Sequence, residues 1–264
     1  MKPLSFFQID AFSESVFGGN PAAVVPLDHW LPDELLLKMA MEHNLSETAF
    51  TVPEGDGYRI RWFTPVAEVD LCGHATLATA HYYFSHAQYT EKSIRFYSRS
   101  GLLTVMNTSS GYQMDFPLDR LEEVKVAAGW TEMMQATLVG AFQGSTDLLL
   151  IAADPQQVRD TQPDMAAIKN LGGRGVILSA RVEDGSCDFI SRCFYPAYGI
   201  DEDPVTGSAH TTLLAYWDKA LKKKEYHAFQ ASTRGGHIIC SRKNDRALLT
   251  GKAITYATGM IWIP

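Results

Sequence analysis

The chain contains an internal repeat. Arg61-Trp62-Phe63-Thr64-Pro65 is answered by Arg192-Cys193-Phe194-Tyr195-Pro196 and, after a short insertion in the second copy, Gly73-His74-Ala75 is answered by Gly207-Ser208-Ala209. The match runs on into Tyr82-Tyr83 against Tyr216-Trp217. Each copy reads as strand, proline turn, glycine and helix, so the chain is constrained toward two similar lobes that each contribute one helix N-terminus. At 264 residues, two lobes of ordinary size can each bury a core.

The second copy shows what such a helix entrance offers. Thr211 to Leu221 has no Gly or Pro, and Leu213, Leu214, Tyr216, Trp217 and Leu221 fall on one broad apolar face. Gly207 therefore sits at the entrance, where free backbone N–H groups and about half a positive charge make a seat for a carboxylate or phosphate. Gly207, Ser208 and Ala209 are small enough for a ligand to approach that backbone, and Asp201, Glu202 and Asp203 crowd just before it.

Composition narrows the function classes. With 46% hydrophobic and 20% charged residues the chain is globular. A net charge of -7 argues against a general nucleic-acid surface, and the one basic run, Lys222-Lys223-Lys224, reads as a solvated helix end. Met1 to Ser15 includes Asp10 and no sustained apolar core, so neither a secretory signal nor a membrane anchor is expected. Nor does any stretch approach the roughly 20 apolar residues of a spanning helix. Cys72, Cys187, Cys193 and Cys240 are scattered without a C-x-x-C pair, so no metal site and no disulfide framework is expected, and a reducing cytoplasm is the default.

Along the chain, Phe6 to Phe12 reads as a strand, and Phe17 to Val25 as a turn leading into another. Gly19-Asn20-Pro21 either makes a hairpin or lines a pocket. Pro32 with Asp33 and Glu34 opens a helix that ends near Asn44. Ser46 to Val52 is strand-like and places Glu47 on the face opposite Phe50 and Val52, beside Leu45 and Ala49. Residue type alone favours an edge-strand glutamate in water; the alternative is a buried base whose pKa burial would raise. After the strand Arg59 to Phe63, His74 opens a helix whose dipole would hold it neutral and able to hydrogen-bond a substrate. A plain cap is the competing reading, and the correspondence with Ser208 points to function. Cys72 corresponds to Thr206, which favours a small packing residue over a thiolate nucleophile.

Strands at 94–97, 102–106 and 112–116 form an antiparallel meander, and the lobes divide at about residue 118, giving 1–118 and 119–264. The second lobe carries strands at 136–141, 147–152 and 175–180 and a helix at 165–170. Gly172-Gly173-Arg174-Gly175 lacks the Lys-Ser/Thr of a phosphate loop and precedes a strand, so it reads as a turn. The final strand, about 253–264, is free to cross back to the first lobe.

Four stretches carry a family resemblance: Phe17 to Val25, Leu45 to Phe50, Asp70-Leu71-Cys72-Gly73-His74-Ala75-Thr76, and Glu202 to Ala209. In this order they resemble the PhzF-like family, the phenazine-biosynthesis isomerase and its relatives, within the diaminopimelate epimerase fold. The resemblance implies an α+β fold with two similar lobes, each a mostly antiparallel sheet or barrel around a central helix, and an active site between them. It implies no cofactor, a homodimer, and a small anionic metabolite as substrate. Its acid/base glutamate falls on Glu47 and its supporting polar residues on His74, Asp203 and Ser208. The backbone at Gly73, Gly207, Gly19 and Asn20 would line the substrate, with the two helix starts facing each other.

The implied reaction is a proton shift between carbons of a small carboxylate, with Glu47 removing and returning the proton. Asp203 as a second base on the opposite face would instead give racemisation or epimerisation; equally, it is a favourable charge near a helix N-terminus. A hydrolase built on Ser208 and His74 is the rival class, weakened by the absence of a G-x-S-x-G elbow. A binding protein that has lost turnover is the remaining alternative.

Overall fold

The structure is a computed structural model and describes residues 2–264. The chain divides into two compact units, one running to Asp115 and taking in Thr250–Pro264, the other Phe116–Leu249.

The first unit opens with β1 (Lys2–Ala11), β2 (Asn20–Pro26), α1 (Asp33–His43), β3 (Glu47–Glu54), β4 (Gly57–Phe63) and β5 (Glu68–Val69). Then come α2 (Gly73–Ser85), β6 (Ser93–Ser98), β7 (Gly101–Thr108) and β8 (Gly111–Pro117). The second unit contains β9 (Glu122–Val124), α3 (Trp130–Met134), β10 (Leu138–Gln143), β11 (Asp147–Ala152), α4 (Pro155–Asp160), α5 (Met165–Asn170), β12 (Gly175–Arg181) and β13 (Phe189–Tyr195). It continues with β14 (Ile200–Asp203), α6 (Gly207–Leu221), β15 (Tyr226–Gln230) and β16 (Gly236–Lys243), and the chain closes with β17 (Arg246–Gly251) and β18 (Ala253–Ile263).

Strand pairing repeats between the units. In the first, β1–β2 is antiparallel, β2–β3 parallel, β3–β4 and β4–β5 antiparallel, β4–β6 parallel and β6–β7 antiparallel. In the second, β10–β11 is antiparallel, β11–β12 parallel, β12–β13 and β13–β14 antiparallel, β13–β15 parallel and β15–β16 antiparallel. The order is the same at every step. Each parallel pair needs a crossover. In each unit the second crossover carries the long helix, α2 in one and α6 in the other.

Both helices are central. α2 buries His74 through Ala80 and Tyr83, so it is covered around most of its circumference rather than along one stripe. Its alanines and threonines are small enough to sit close under the surrounding strands. α6 buries Ala209, Leu213, Leu214 and Trp217, and the Trp217 indole donates to Ser179 Oγ on β12. Around them the strands alternate: β6 buries Ile94 and Phe96 and exposes Arg95 between them. β18 pairs with β1 from Lys2 opposite Ile263 to Ala11 opposite Ala253, which ties the end of the chain into the first unit.

The repeat extends to an ion pair that anchors the short strand before each central helix. Arg61 on β4 grips Glu68 on β5 through Nε and Nη2, both at 2.7 Å. Its equivalent, Arg192 on β13, grips Glu202 on β14 at 2.7 and 2.9 Å. β5 and β14 lead directly into the starts of α2 and α6, so these pairs fix where the two helix entrances lie.

Among the described residues, no helix is long and apolar enough to cross a membrane.

Candidate active site

In the first unit the structure gathers Glu47, His74, Asn20 and Cys72 around the start of α2. Glu47 opens β3, which pairs with β2 on one side and β4 on the other, so the edge-strand reading of this glutamate does not hold. His74 Nε2 lies 3.1 Å from Glu47 Oε2, with the side chains only 8% and 14% exposed. The two atoms meet without hydrogen-bond alignment, and neither has another hydrogen-bond partner. The two atoms are held together as a buried ion pair.

The other edge of the His74 ring is held. Asn20, fully buried, places Nδ2 at 3.3 Å from Nδ1, and Cys72 Sγ lies 3.5 Å from the same nitrogen. The Asn20 amide can serve either protonation state of the ring, donating to a bare Nδ1 or, turned over, accepting from Nδ1–H. Asn20 reaches this position because Gly19 before it adopts φ +63°, where an added Cβ would stand 2.1 Å from the Ala11 carbonyl oxygen. Asp10, 1% exposed, accepts from the Phe17 N–H and braces the same turn.

The electrostatics run opposite to the sequence-based expectation. Burial pushes the Glu47 carboxyl up, but His74, with a smaller contribution from the Cys72 thiol, outweighs it and holds Glu47 below its ordinary value of 4.5. For His74, burial favours the neutral ring, yet Cys72 and the Glu47 carboxylate lift it well above 6.5. Burial and the Glu47 charge push Cys72 up, against the opposing pull of the His74 ring. Glu47 is thus ionised and His74 protonated at neutral pH. A neutral His74 was expected from the helix dipole alone, and a raised Glu47 from burial alone; direct contact between the two outweighs both.

A pH dependence follows, with two signs. The depressed Glu47 stabilises the fold above about pH 4.5 and loses that contribution as pH falls through its folded value. The raised His74 contributes fully below about pH 6.5 and loses it as pH rises through its own. The unfolding free-energy difference between wild type and His74→Gln should therefore be largest between pH 4.5 and 6.5 and shrink on either side. Urea unfolding across pH checks this, and a flat difference would remove the ion pair.

Glu47, Cys72 and His74 are also a potential donor set for a metal ion, with ligand atoms within 4.8 Å of one another. The cysteine pattern alone did not indicate it. Cys72 approaches Nδ1 of the His74 ring while Glu47 approaches Nε2. Beyond the small packing residue expected from Thr206, Cys72 contacts the His74 imidazole.

In the second unit the structure gathers Asp203, Gly207 and Ser208 at the start of α6. Thr206 is the N-cap residue, but its hydroxyl donates to the Asp203 carboxylate instead of capping the helix. Gln230 fastens the turn, accepting from the Thr206 N–H and donating to the Asp203 carbonyl, each at 2.8 Å. Neither α6 nor α2 has a side-chain cap or an acidic residue in its first turn, so both entrances keep their positive end uncompensated from within the helix.

Two residues here were not recognised from sequence as site residues. Arg174, in the glycine-rich turn, donates from Nη1 to Ser208 Oγ at 2.9 Å and is itself held by the fully buried Asp147. A glycine-flanked arginine beside a strand start was the available signal. The contact also bears on the hydrolase reading: the partner of Ser208 is a guanidinium, which cannot accept a proton, so nothing in this pair activates the hydroxyl as a nucleophile.

Comparison with known proteins agrees with the fold. The family model for phenazine biosynthesis-like protein, PhzC-PhzF, matches residues 9–259. The chain is 47% identical over 259 residues to an uncharacterized isomerase of Pseudomonas aeruginosa, with 98% of each chain covered. A PhzF-family phenazine biosynthesis protein of Enterococcus faecalis has a TM-score of 0.96 at 42% identity, covering 99% of this chain and all of the other. A hydroxyproline epimerase of Agrobacterium vitis, solved with trans-4-hydroxy-L-proline, shares the fold at TM-score 0.62 and 10% identity, over 98% of this chain and 92% of its own. On a match that leaves only the chain ends outside it, the protein belongs to the phenazine biosynthesis-like family and is an isomerase.

Proposed function

We propose that the protein shifts a proton between carbons of a small carboxylate-bearing metabolite, without a cofactor, using Glu47 as the acid/base group. The observation that carries this reading is the Glu47–His74 contact: an ionised, nearly buried carboxylate against a protonated imidazole, with both facing atoms lacking a hydrogen bond. Glu47 takes a proton from a carbon whose electron pair can delocalise into an adjacent carboxylate or double bond. The resulting negative charge is met by the His74 N–H and by the uncapped amides at Gly73-His74. Protonated Glu47 then returns the proton at another carbon, so atoms and charge balance and the enzyme is regenerated.

Desolvation matters to this chemistry. Water-exposed carboxylates are weak bases toward carbon acids, whereas one held beside an imidazolium in a dry site trades some basicity for a partner that stabilises the product charge. The test is incubation in deuterated water with a panel of small carboxylic acids bearing allylic or α C–H bonds, followed by proton NMR. Wild type is expected to replace one carbon-bound proton or to move it. A product formed with no C–H bond changed would overturn the reading.

A further inference from the structure

We infer that Gln230 and Thr206 are positioning residues for Asp203: a one-way relay of hydrogen bonds aims the Thr206 hydroxyl at the Asp203 carboxylate, fixes its orientation and keeps Oδ2 an acceptor. The bearing on turnover rests on the proton-shift reading, with Asp203 among its polar groups; the relay itself rests on the geometry of the second unit.

Gln230 sets the direction of the relay. It ends β15, pairs with Ser191 of β13 and is 0% exposed. The Thr206 N–H can only donate, so the side-chain atom 2.8 Å from it is Oε1, and the Gln230 amide has one orientation. Nε2 then faces the Asp203 carbonyl oxygen at 2.8 Å and Thr206 Oγ at 3.3 Å, and it has a hydrogen for each. A hydroxyl that receives from Gln230 has its own hydrogen to give, and Thr206 gives it to Asp203 Oδ2. A proton placed on Oδ2 would make both sides of that contact donors, so Oδ2 stays bare. Cys193 lies opposite Asp203 where β13 pairs with β14, and burial pushes its thiol up, so it meets the relay uncharged.

The repeat shows that the relay is no general requirement of the fold. Thr206 corresponds to Cys72, and the strand register puts Asp203 where the first unit has Val69 and Gln230 where it has Ser98. Ser98 turns its hydroxyl to the Gly101 carbonyl instead. The first unit brings its carboxylate, Glu47, from β3 and sets it against His74; the second brings Asp203 from β14 and holds it through a hydroxyl and an amide. A carboxylate pinned at one oxygen no longer turns about its Cβ–Cγ bond, and a group held in reacting geometry contributes more to the rate than one free to turn.

The test is carbon-13 NMR of the Asp203 carboxyl across pH in the protein without added ligand, with the resonance assigned through Asp203→Asn. Thr206→Val keeps the shape and the backbone bond to Gln230 but loses the hydroxyl, and should move the titration up by about one to two pH units, as loss of one hydrogen bond to a charged group requires. Thr206→Ser should restore the wild-type curve. Gln230→Met should move the titration part of the way, and Thr206→Val/Gln230→Met no further than Thr206→Val alone, because Gln230 acts through the hydroxyl. A merely structural Gln230 would give additive shifts. That result, a Thr206→Val curve equal to wild type, or no rescue by Thr206→Ser overturns the inference. If Gln230→Met does not fold, Gln230→Glu keeps an acceptor for the Thr206 N–H and completes the same cycle. On the acid that the wild type turns over, kcat should fall at least about tenfold in Thr206→Val, with KM changed less, and recover in Thr206→Ser. Unchanged kcat in Thr206→Val also overturns the inference. A wild type that turns over none of the acids fails the proton-shift reading alone, and the carboxyl titration still decides the relay.

Discussion

Glutamine in place of Glu47 is expected to leave the fold intact and to lower turnover by about 10²–10⁴-fold, or further where proton transfer is the whole reaction. The substitution keeps the size and the hydrogen-bonding edge of the side chain at the start of β3 and removes the one property the mechanism needs, a carboxylate that can accept a proton. The readout is the rate of isomerisation, or of carbon-bound deuterium incorporation, on whichever acid the wild type turns over. Lack of solvent exchange in the wild type would not decide the matter, because a shielded glutamate can carry the same proton across. Near wild-type turnover by Glu47→Gln would, and it would pass the base role to His74.

The same variant reports on the electrostatics. His74 is lifted well above 6.5 against a burial effect that alone would lower it, by Cys72 and by the Glu47 carboxylate beside it. In Glu47→Gln that charge is gone, so the imidazole should titrate at lower pH than in wild type, as proton NMR of the ring can follow. Loss of turnover with an unmoved His74 would mean that the two groups are less tightly coupled than their 3.1 Å contact implies.

Much of this architecture could be read from the chain because the repeat is written in residues that make backbone structure. The Arg-x-Phe-x-Pro strands and glycine helix starts became β4 with α2 and β13 with α6, and the pairing scheme around them repeats step for step. β18 and α5 begin or end where turn residues punctuate the sequence. Helix α4 escaped notice although its signals were present: Asp154 accepts from Gln156 and Gln157, and Pro155 stands at the first helical position.

The site was less legible, for a physical reason. Glu47 and Asn20 are remarkable only once strands β2 and β3 and the start of α2 come together, and residue type alone favoured a solvated edge glutamate. The protonation pattern depended on a contact between residues far apart in sequence, so arguments from burial or dipole gave the wrong sign for both Glu47 and His74. Arg174 sat in a turn with no motif, and its meaning lies in Asp147 and Ser208, which the fold delivers from elsewhere.

Removing the Arg192 guanidinium should be among the most destabilising single changes available to the second unit. Arg192 is 10% exposed and Glu202 18% at the side chain, and besides Glu202 the guanidinium donates through Nη1 to the carbonyls of Thr161, Arg159 and Val158 at 2.8, 3.2 and 3.4 Å. Those carbonyls end α4, so one side chain both pairs a buried carboxylate and caps a helix C-terminus. Arg192→Met is expected to cost about 3–5 kcal/mol, since it strands Glu202 and three carbonyls. Arg192→Met/Glu202→Leu should recover a large part of the loss by removing the stranded charge. Arg61→Met in the first unit should cost less, because Glu68 keeps Arg99 at 2.7 Å as a second partner. Urea unfolding of the three variants decides it: equal losses for Arg61→Met and Arg192→Met would show that the pairs act through packing rather than through the charge each leaves behind.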